Sequence, residues 1–196
     1  MKWTTRIGFW HVRTLTEYGK LKQVEKELTN YKLDIMGLSE IQWKDSEEII
    51  TQNGNSLIFS GVGEDKEHRN VVGILMKKEA QKISERIMLA RFNTKIHNLT
   101  IIQCYAPTEI TGKDKKEEFY QQLSETITTV KKRDVIIVMG DMNGKIGPNN
   151  EGMEHVMGRH GIGNMNENGE LFSELCANYD LIIGGTVFPH KTCHKV

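Results

Sequence analysis

Six polar residues stand just past the ends of short apolar runs, and together they have the makings of a phosphate-ester chemistry. Ile7–Trp10 is followed by His11 and Arg13, Ile35–Leu38 by Glu40, Leu99–Cys104 by Tyr105, and Val135–Met139 by Asp141 and Asn143. Carboxylates such as Glu40 and Asp141 suit hard Mg²⁺ or Mn²⁺, which prefer oxygen ligands and retain waters that can be activated. Asn143, Tyr105 and Arg13 can donate to the charged oxygens of a phosphodiester under in-line attack. Gly140 ahead of Asp141, and Gly144 after Asn143, let the backbone turn sharply and approach a substrate closely. Each residue alone has a plainer explanation. A carboxylate after a strand is usually a turn or cap residue, and Asn143 in "DMNG" reads as a turn residue tolerant of positive φ. Tyr105 before "AP" reads as a half-buried tyrosine, and His11 as an ordinary histidine at a strand end. Their recurrence at successive strand ends is what singles them out.

The elements that must position them are short and apolar. Besides the four runs above, Ser56–Phe59, Val71–Met76, Ile87–Phe92 and Leu181–Ile183 are bounded by polar residues and rich in Ile and Val, so all eight read as strands, several buried on both faces. Leu21, Val24, Leu28 and Tyr31 fall on one helical face, as do Phe119, Leu123 and Ile127. "NENGELFSELCANY" places Leu171, Phe172 and Leu175 behind possible asparagine caps. "GVGEDKEHRN" and "GKIGPNNEGMEHVMGRHGIG" read as long polar loops. With three prolines, no repeat and no low-complexity tract, nothing marks a linker. The expectation is one α/β layered domain with its loops on one edge.

Bulk properties narrow the function classes. The 196 residues, 38% of them hydrophobic, suffice for one sizeable core. Lys+Arg and Asp+Glu balance at 26 each, so attraction to nucleic acid must come from local clusters rather than a global field. Three dispersed cysteines, Cys104, Cys176 and Cys193, suit reduced thiols better than a disulfide framework. No apolar run approaches the roughly 18 residues of a membrane span, and no secretory leader is evident, so a non-secreted protein without a membrane partner is expected. His190, Cys193 and His194 lack a second ligand pair, which makes zinc a weak reading. Lys113, Lys115, Lys116, Lys131, Lys132 and Arg133 read as solvated charge, at most touching backbone phosphates.

The ordered set "GFWHVRTL", "DIMGLSEIQW", "VVGILMKKE", "IIQCYAPT" and "IIVMGDMNGKIG" resembles the endonuclease/exonuclease/phosphatase superfamily. The tail "GGTVFPHKTCHK" makes it similar, more narrowly, to the endonuclease domains of non-LTR retrotransposons, including the group labelled craniofacial development protein 2-like. The resemblance spans about Arg6 to Lys195. It implies a four-layer α/β sandwich, two packed mixed β-sheets flanked by helices, and Mg²⁺-dependent hydrolysis of phosphodiesters, with Mn²⁺ as a substitute. It further implies that Glu40 binds the metal, that Asp141 shares in this and positions or activates the attacking water, that Asn143 orients that water and the phosphate, and that Tyr105 contacts the scissile phosphate. Arg13 joins Tyr105 and Asn143 as an expected phosphate or DNA contact.

The implied partner is DNA, nicked in the nucleus by a monomer to prime a reverse transcriptase fused downstream. Two departures from the pattern stand out. His11 occupies the place of an asparagine in the family's first strand, where an imidazole can still hydrogen-bond Asp141 through one nitrogen. The pattern also continues past "HKTCHK" to a Thr-Trp strand and an Asp-His pair, whereas this sequence stops at Val196. The expectation is therefore an endonuclease domain over 1–196, lacking its last C-terminal strands and weak or inactive as it stands. The competing expectations are a catalytically dead, domesticated remnant that binds DNA or protein, and a phosphatase of the same superfamily.

Overall fold

A computed structural model describes residues 5–44, 46–60, 71–76, 81–82, 84–92 and 97–189. The expected loop over 61–70 and the trio His190, Cys193 and His194 lie outside them. The chain forms two compact units, one of Met1–Tyr105 with Val130–Asp141, the other of Ala106–Thr129 with Met142–Val196.

The first unit holds two sheets and one helix. Strands β1 (Ile7–His11), β2 (Ile35–Ser39), β3 (Ser46–Ile50), β4 (Ser56–Ser60) and β5 (Val72–Met76) form one sheet in the order β1-β2-β5-β4-β3. Strands β6 (Gln81–Lys82), β7 (Ile87–Phe92), β8 (Leu99–Tyr105) and β9 (Val135–Asp141) form the second, in the order β6-β7-β8-β9. Both sheets are mixed: β1 and β2 run parallel, as do β8 and β9, and the other pairs are antiparallel. All residues of β2, β4, β5 and β8 are buried, which is why these segments read as continuous apolar runs rather than alternating ones.

The sheets face each other. Ile35, Ile58, Val72, Ile74 and Met76 of the first meet Met88, Ala90, Leu99 and Ile101 of the second in one core cluster. On the other face of the first sheet, Val24 and Leu28 of helix α1 (Lys20–Asn30) pack with Met36, Leu38, Leu57, Phe59 and Leu75. Each such aliphatic side chain, fully buried, contributes about 1.5–3 kcal/mol. One polar side chain crosses the space between the sheets. Gln103 of β8 is fully buried and donates long hydrogen bonds, 3.4 Å each, to the Leu38 carbonyl and the Ser39 hydroxyl of β2. Gly37 makes room for it, since a Cβ there would stand 1.9 Å from Gln103 Oε1.

The second unit contains helices α2 (Lys113–Thr128) and α3 (Glu167–Asn178). Phe119, Leu123 and Ile127 are buried, as their spacing predicts. Asn166 caps α3 by accepting from Gly169 N, as expected of the asparagines there. Val156, Met157, Cys176 and Ile183 form this unit's own core cluster. Cys104 and Cys176 are buried free thiols, and burial pushes the Cys176 thiol up to about 12.

The α/β class and the two mixed sheets agree with the sequence reading; several local expectations do not. Leu181–Ile183 is no strand: it makes one parallel bridge, Met157 to Ile183, because Leu181 N turns back to the Cys176 carbonyl at the end of α3. Tyr31 lies at the C-cap of α1 and is exposed, while Glu25 takes a buried place, accepting from Asn53, Asn55 and Thr51. Strands β3 and β6 escaped notice because "SEEII" does not alternate and "QK" is two residues long. Lys116 is not solvated: it is 1% exposed and pairs with Glu167 at 2.6 Å.

Two features hold β8 and β9 at opposite ends. At their start, Asp134 receives Nε and Nη2 of Arg91 at 2.6 and 3.0 Å and the Thr100 hydroxyl at 2.8 Å. These bonds, that from Arg91 foremost, hold the Asp134 carboxyl below the usual carboxylate range. At their end, Gly140 has φ 142° and lies against β8, where an added Cβ would be 1.8 Å from the Cys104 carbonyl oxygen. This glycine is demanded by a neighbouring backbone rather than by a substrate.

Gly140→Ala is expected to cost about 3 kcal/mol in urea unfolding, since both the backbone conformation and the strand spacing must give. Asp134, with its pKa lowered by folding, contributes stability above the ordinary carboxylate range and loses it as pH falls through the depressed value. Asp134→Asn should therefore lower the urea midpoint at pH 7, and the difference from the parent should shrink as pH is taken below about 4; an undiminished difference in acid would contradict this.

Candidate functional site

Parallel pairing explains why four of the sequence-predicted residues meet. In the first sheet His11 is in register with Ser39, so the chain leaves β1 and β2 at the same edge, and Glu40 follows directly. In the second sheet Tyr105 is in register with Asp141, which brings the ends of β8 and β9 together. Glu40 has φ 59°, a left-handed conformation that costs a non-glycine residue of order 1 kcal/mol or more. Its carboxylate is held by two partners, which offsets that strain.

His11 touches both carboxylates. Its Nδ1 is 3.0 Å from Asp141 Oδ2, the hydrogen bond expected from the sequence, and its Nε2 is 3.0 Å from Glu40 Oε2. The other oxygen of Glu40 accepts from the Tyr105 hydroxyl at 2.8 Å. Tyr105 is 4% exposed, so its hydroxyl serves Glu40 rather than open solvent. The His11 and Tyr105 rings meet edge to face, with centroids 5.9 Å apart. The side chains of His11, Glu40 and Asp141 are between a fifth and a third exposed, which leaves the cluster open to a ligand.

Arg86 belongs beside this group and was missed. It precedes β7, and its guanidinium lies 5.8 Å from the Tyr105 ring centroid while donating to the Tyr105 carbonyl at 3.2 Å. Burial lowers its pKa. The only sequence signal was indirect: antiparallel pairing of the "IMLARF" and "LTIIQCY" runs places the residue before Ile87 opposite Tyr105.

Arg13 has φ 64° and is exposed, with no ion pair among the described residues. Asn143 is in the second unit, where its amide donates to the Ala106 carbonyl at 2.8 Å and its own carbonyl accepts from Asn166. Lys131, Lys132 and Arg133 border an open hollow of about 690 Å³ with Arg91 and His97, at the end of β8 and β9 away from Tyr105 and Asp141.

Two carboxylates are the donor chemistry that Mg²⁺ takes, but the ion wants oxygens at about 2.1 Å in a near-ideal octahedron with several waters. Here one oxygen of each carboxylate faces a His11 nitrogen, and Glu40 has its second oxygen on Tyr105. An ion shared by Glu40 and Asp141 would have to sit against the N–H edge of the ring. The arrangement does not fit such an ion while His11 stays in place, and among the described residues no group of three His, Cys, Asp or Glu is disposed to hold a metal. What the cluster offers as it stands is a proton-accepting carboxylate pair, an imidazole linking them and a phenol.

No protein-family model matches the chain. Craniofacial development protein 2 of Bos taurus is 32% identical over 189 residues, covering 93% of this chain and 31% of that protein. The same protein of Tragulus javanicus is 31% identical over 189 residues, covering 93% and 32%. The chain thus spans about a third of the length of the relatives it matches. Among solved structures, the endonuclease domain of TRAS1, a telomere-specific non-LTR retrotransposon, superposes with a TM-score of 0.60 at 12% identity, over 89% of this chain and 72% of that one. An AP endonuclease, LMAP from Leishmania major, gives a TM-score of 0.59 at 12% identity, over 87% and 65%. No described helix is long and apolar enough to cross a membrane. Sequence similarity and architecture thus agree: the chain is similar to craniofacial development protein 2 over 189 residues and carries the endonuclease/exonuclease/phosphatase fold.

Proposed function

We propose that the chain is a phosphodiester hydrolase of the DNA-endonuclease type, held to a low rate by His11. The observation that carries this reading is the cluster itself, with Glu40, Asp141, Tyr105 and His11 brought to one edge by two parallel strand pairs. The fold is that of the TRAS1 endonuclease domain, which supports a nucleic-acid backbone as the substrate class. In this reading Asp141 accepts the proton of the attacking water, and the Tyr105 hydroxyl turns from Glu40 to the phosphate. Arg13 supplies a further donor to the phosphate oxygens. A hard divalent ion, Mg²⁺ or Mn²⁺, suits Glu40 and Asp141 only with His11 displaced, and no step here is drawn through it.

A second reading, a DNA-binding remnant that does not cleave, is favoured by the same His11 contacts, which tie up an oxygen of each carboxylate. Nicking of supercoiled plasmid separates the two. Slow nicking that needs Mg²⁺, stops with chelator, and falls about a hundredfold or more in Glu40→Gln and Asp141→Asn is expected of the hydrolase. Plasmid retained by the protein without any nicking would replace it with the remnant. Nicking indifferent to both substitutions would remove these residues from the reaction.

A further inference from the structure

We propose that His11 occupies the place between Glu40 and Asp141 that a divalent ion would take, and that removing it opens a divalent-cation site on that carboxylate pair. The inference rests on the reading of Glu40 and Asp141 as the working carboxylates. Three observations carry it. One imidazole reaches both, at 3.0 Å through each nitrogen, so a single ring links the two acidic groups. The Tyr105 hydroxyl closes the other side of Glu40 at 2.8 Å, which leaves that carboxylate with both oxygens engaged. The ring is not a loose surface group either: His11 is the last residue of β1, in register with Ser39 of β2, and the edge of its ring packs on Tyr105.

The arginine at this strand end does not share the task. Arg13 is exposed and forms no ion pair among the described residues. A divalent ion binding the pair must therefore first displace a group anchored in the sheet, and its apparent affinity falls by the fraction of molecules in which His11 has left. An asparagine at position 11 is shorter, so it leaves the two carboxylates facing a gap.

The test is Mn²⁺ binding to the full chain without DNA, followed by calorimetry and by the loss of the free-ion electron paramagnetic signal. His11→Asn is expected to bind Mn²⁺ at least about tenfold more tightly than the parent, the gain expected if the His11-bound arrangement outweighs the released one by about ten to one. The gain should vanish when Glu40→Gln is added, and His11→Lys, which places a cation at the same strand end, should show none. Metal-free His11→Asn should melt below the parent and recover at a Mn²⁺ concentration that leaves the parent unshifted. Equal Mn²⁺ affinity in parent and His11→Asn would overturn the proposal. So would a gain that survives Glu40→Gln or an equal gain in His11→Lys. Where His11→Asn does not fold, His11→Ala is read in its place with the same outcomes. Because DNA is absent throughout, a His11→Asn protein that binds Mn²⁺ but does not nick plasmid would sink the hydrolase reading and leave this one standing.

Discussion

Everything at the candidate site depends on two parallel strand pairs ending at one edge. In an antiparallel pair a residue at the end of one strand faces the beginning of its neighbour, so chemistry placed at both C-termini would be split between two edges. Parallel pairing avoids this, at the cost of a long connection to bring the chain back. The first unit does so twice, through α1 between β1 and β2, and between β8 and β9 through a connection that includes α2. Because these pairs belong to sheets that face each other, an imidazole and a carboxylate from one sheet meet a phenol and a carboxylate from the other.

The backbone around the site is shaped to that end. Glu40 turns off its strand with positive φ, and Gly140 runs so close to β8 that no side chain fits there. Neither conformation is relaxed for an ordinary residue, and both occur one residue away from a strand end or a working carboxylate. Strain concentrated there, with Asp134 pinned by Arg91 and Thr100 at the far end of the same strands, is what a rigid sheet carrying a strained rim looks like.

Much of this was legible in the sequence, for physical reasons that also mark where legibility stops. Strands buried on both faces announce themselves as unbroken runs such as "LTIIQCY" and "DIMGLS", and the residue at which each run turns polar locates the rim. His11 against Asp141 could be anticipated from the resemblance, which puts an asparagine in the place of His11. The second His11 contact, to Glu40, could not, since it depends on how the ring is set between two sheets. Arg86 was invisible because nothing in "SERIMLARF" distinguishes it from a surface arginine. Lys116 reads as a solvated charge because helical spacing reports which face is apolar, and a buried charge with its own partners breaks that pattern. Leu181–Ile183 has the composition of a strand, but composition carries no information about whether a partner lies alongside.

Gln103 bears on how the two sheets are offset. Two apolar sheet faces stacked on one another have little preference among offsets: sliding one by a residue step of about 3.3 Å buries nearly the same hydrocarbon. A polar side chain that must find the Leu38 carbonyl and the Ser39 hydroxyl across the gap has a preference. It acts as an indexing pin between the layers, accepted only where Gly37 leaves a notch. Set one step off, the sandwich would keep its core, yet Tyr105 and Asp141 would arrive at the wrong height to meet Glu40 and His11, and a well-packed protein would have no site at all.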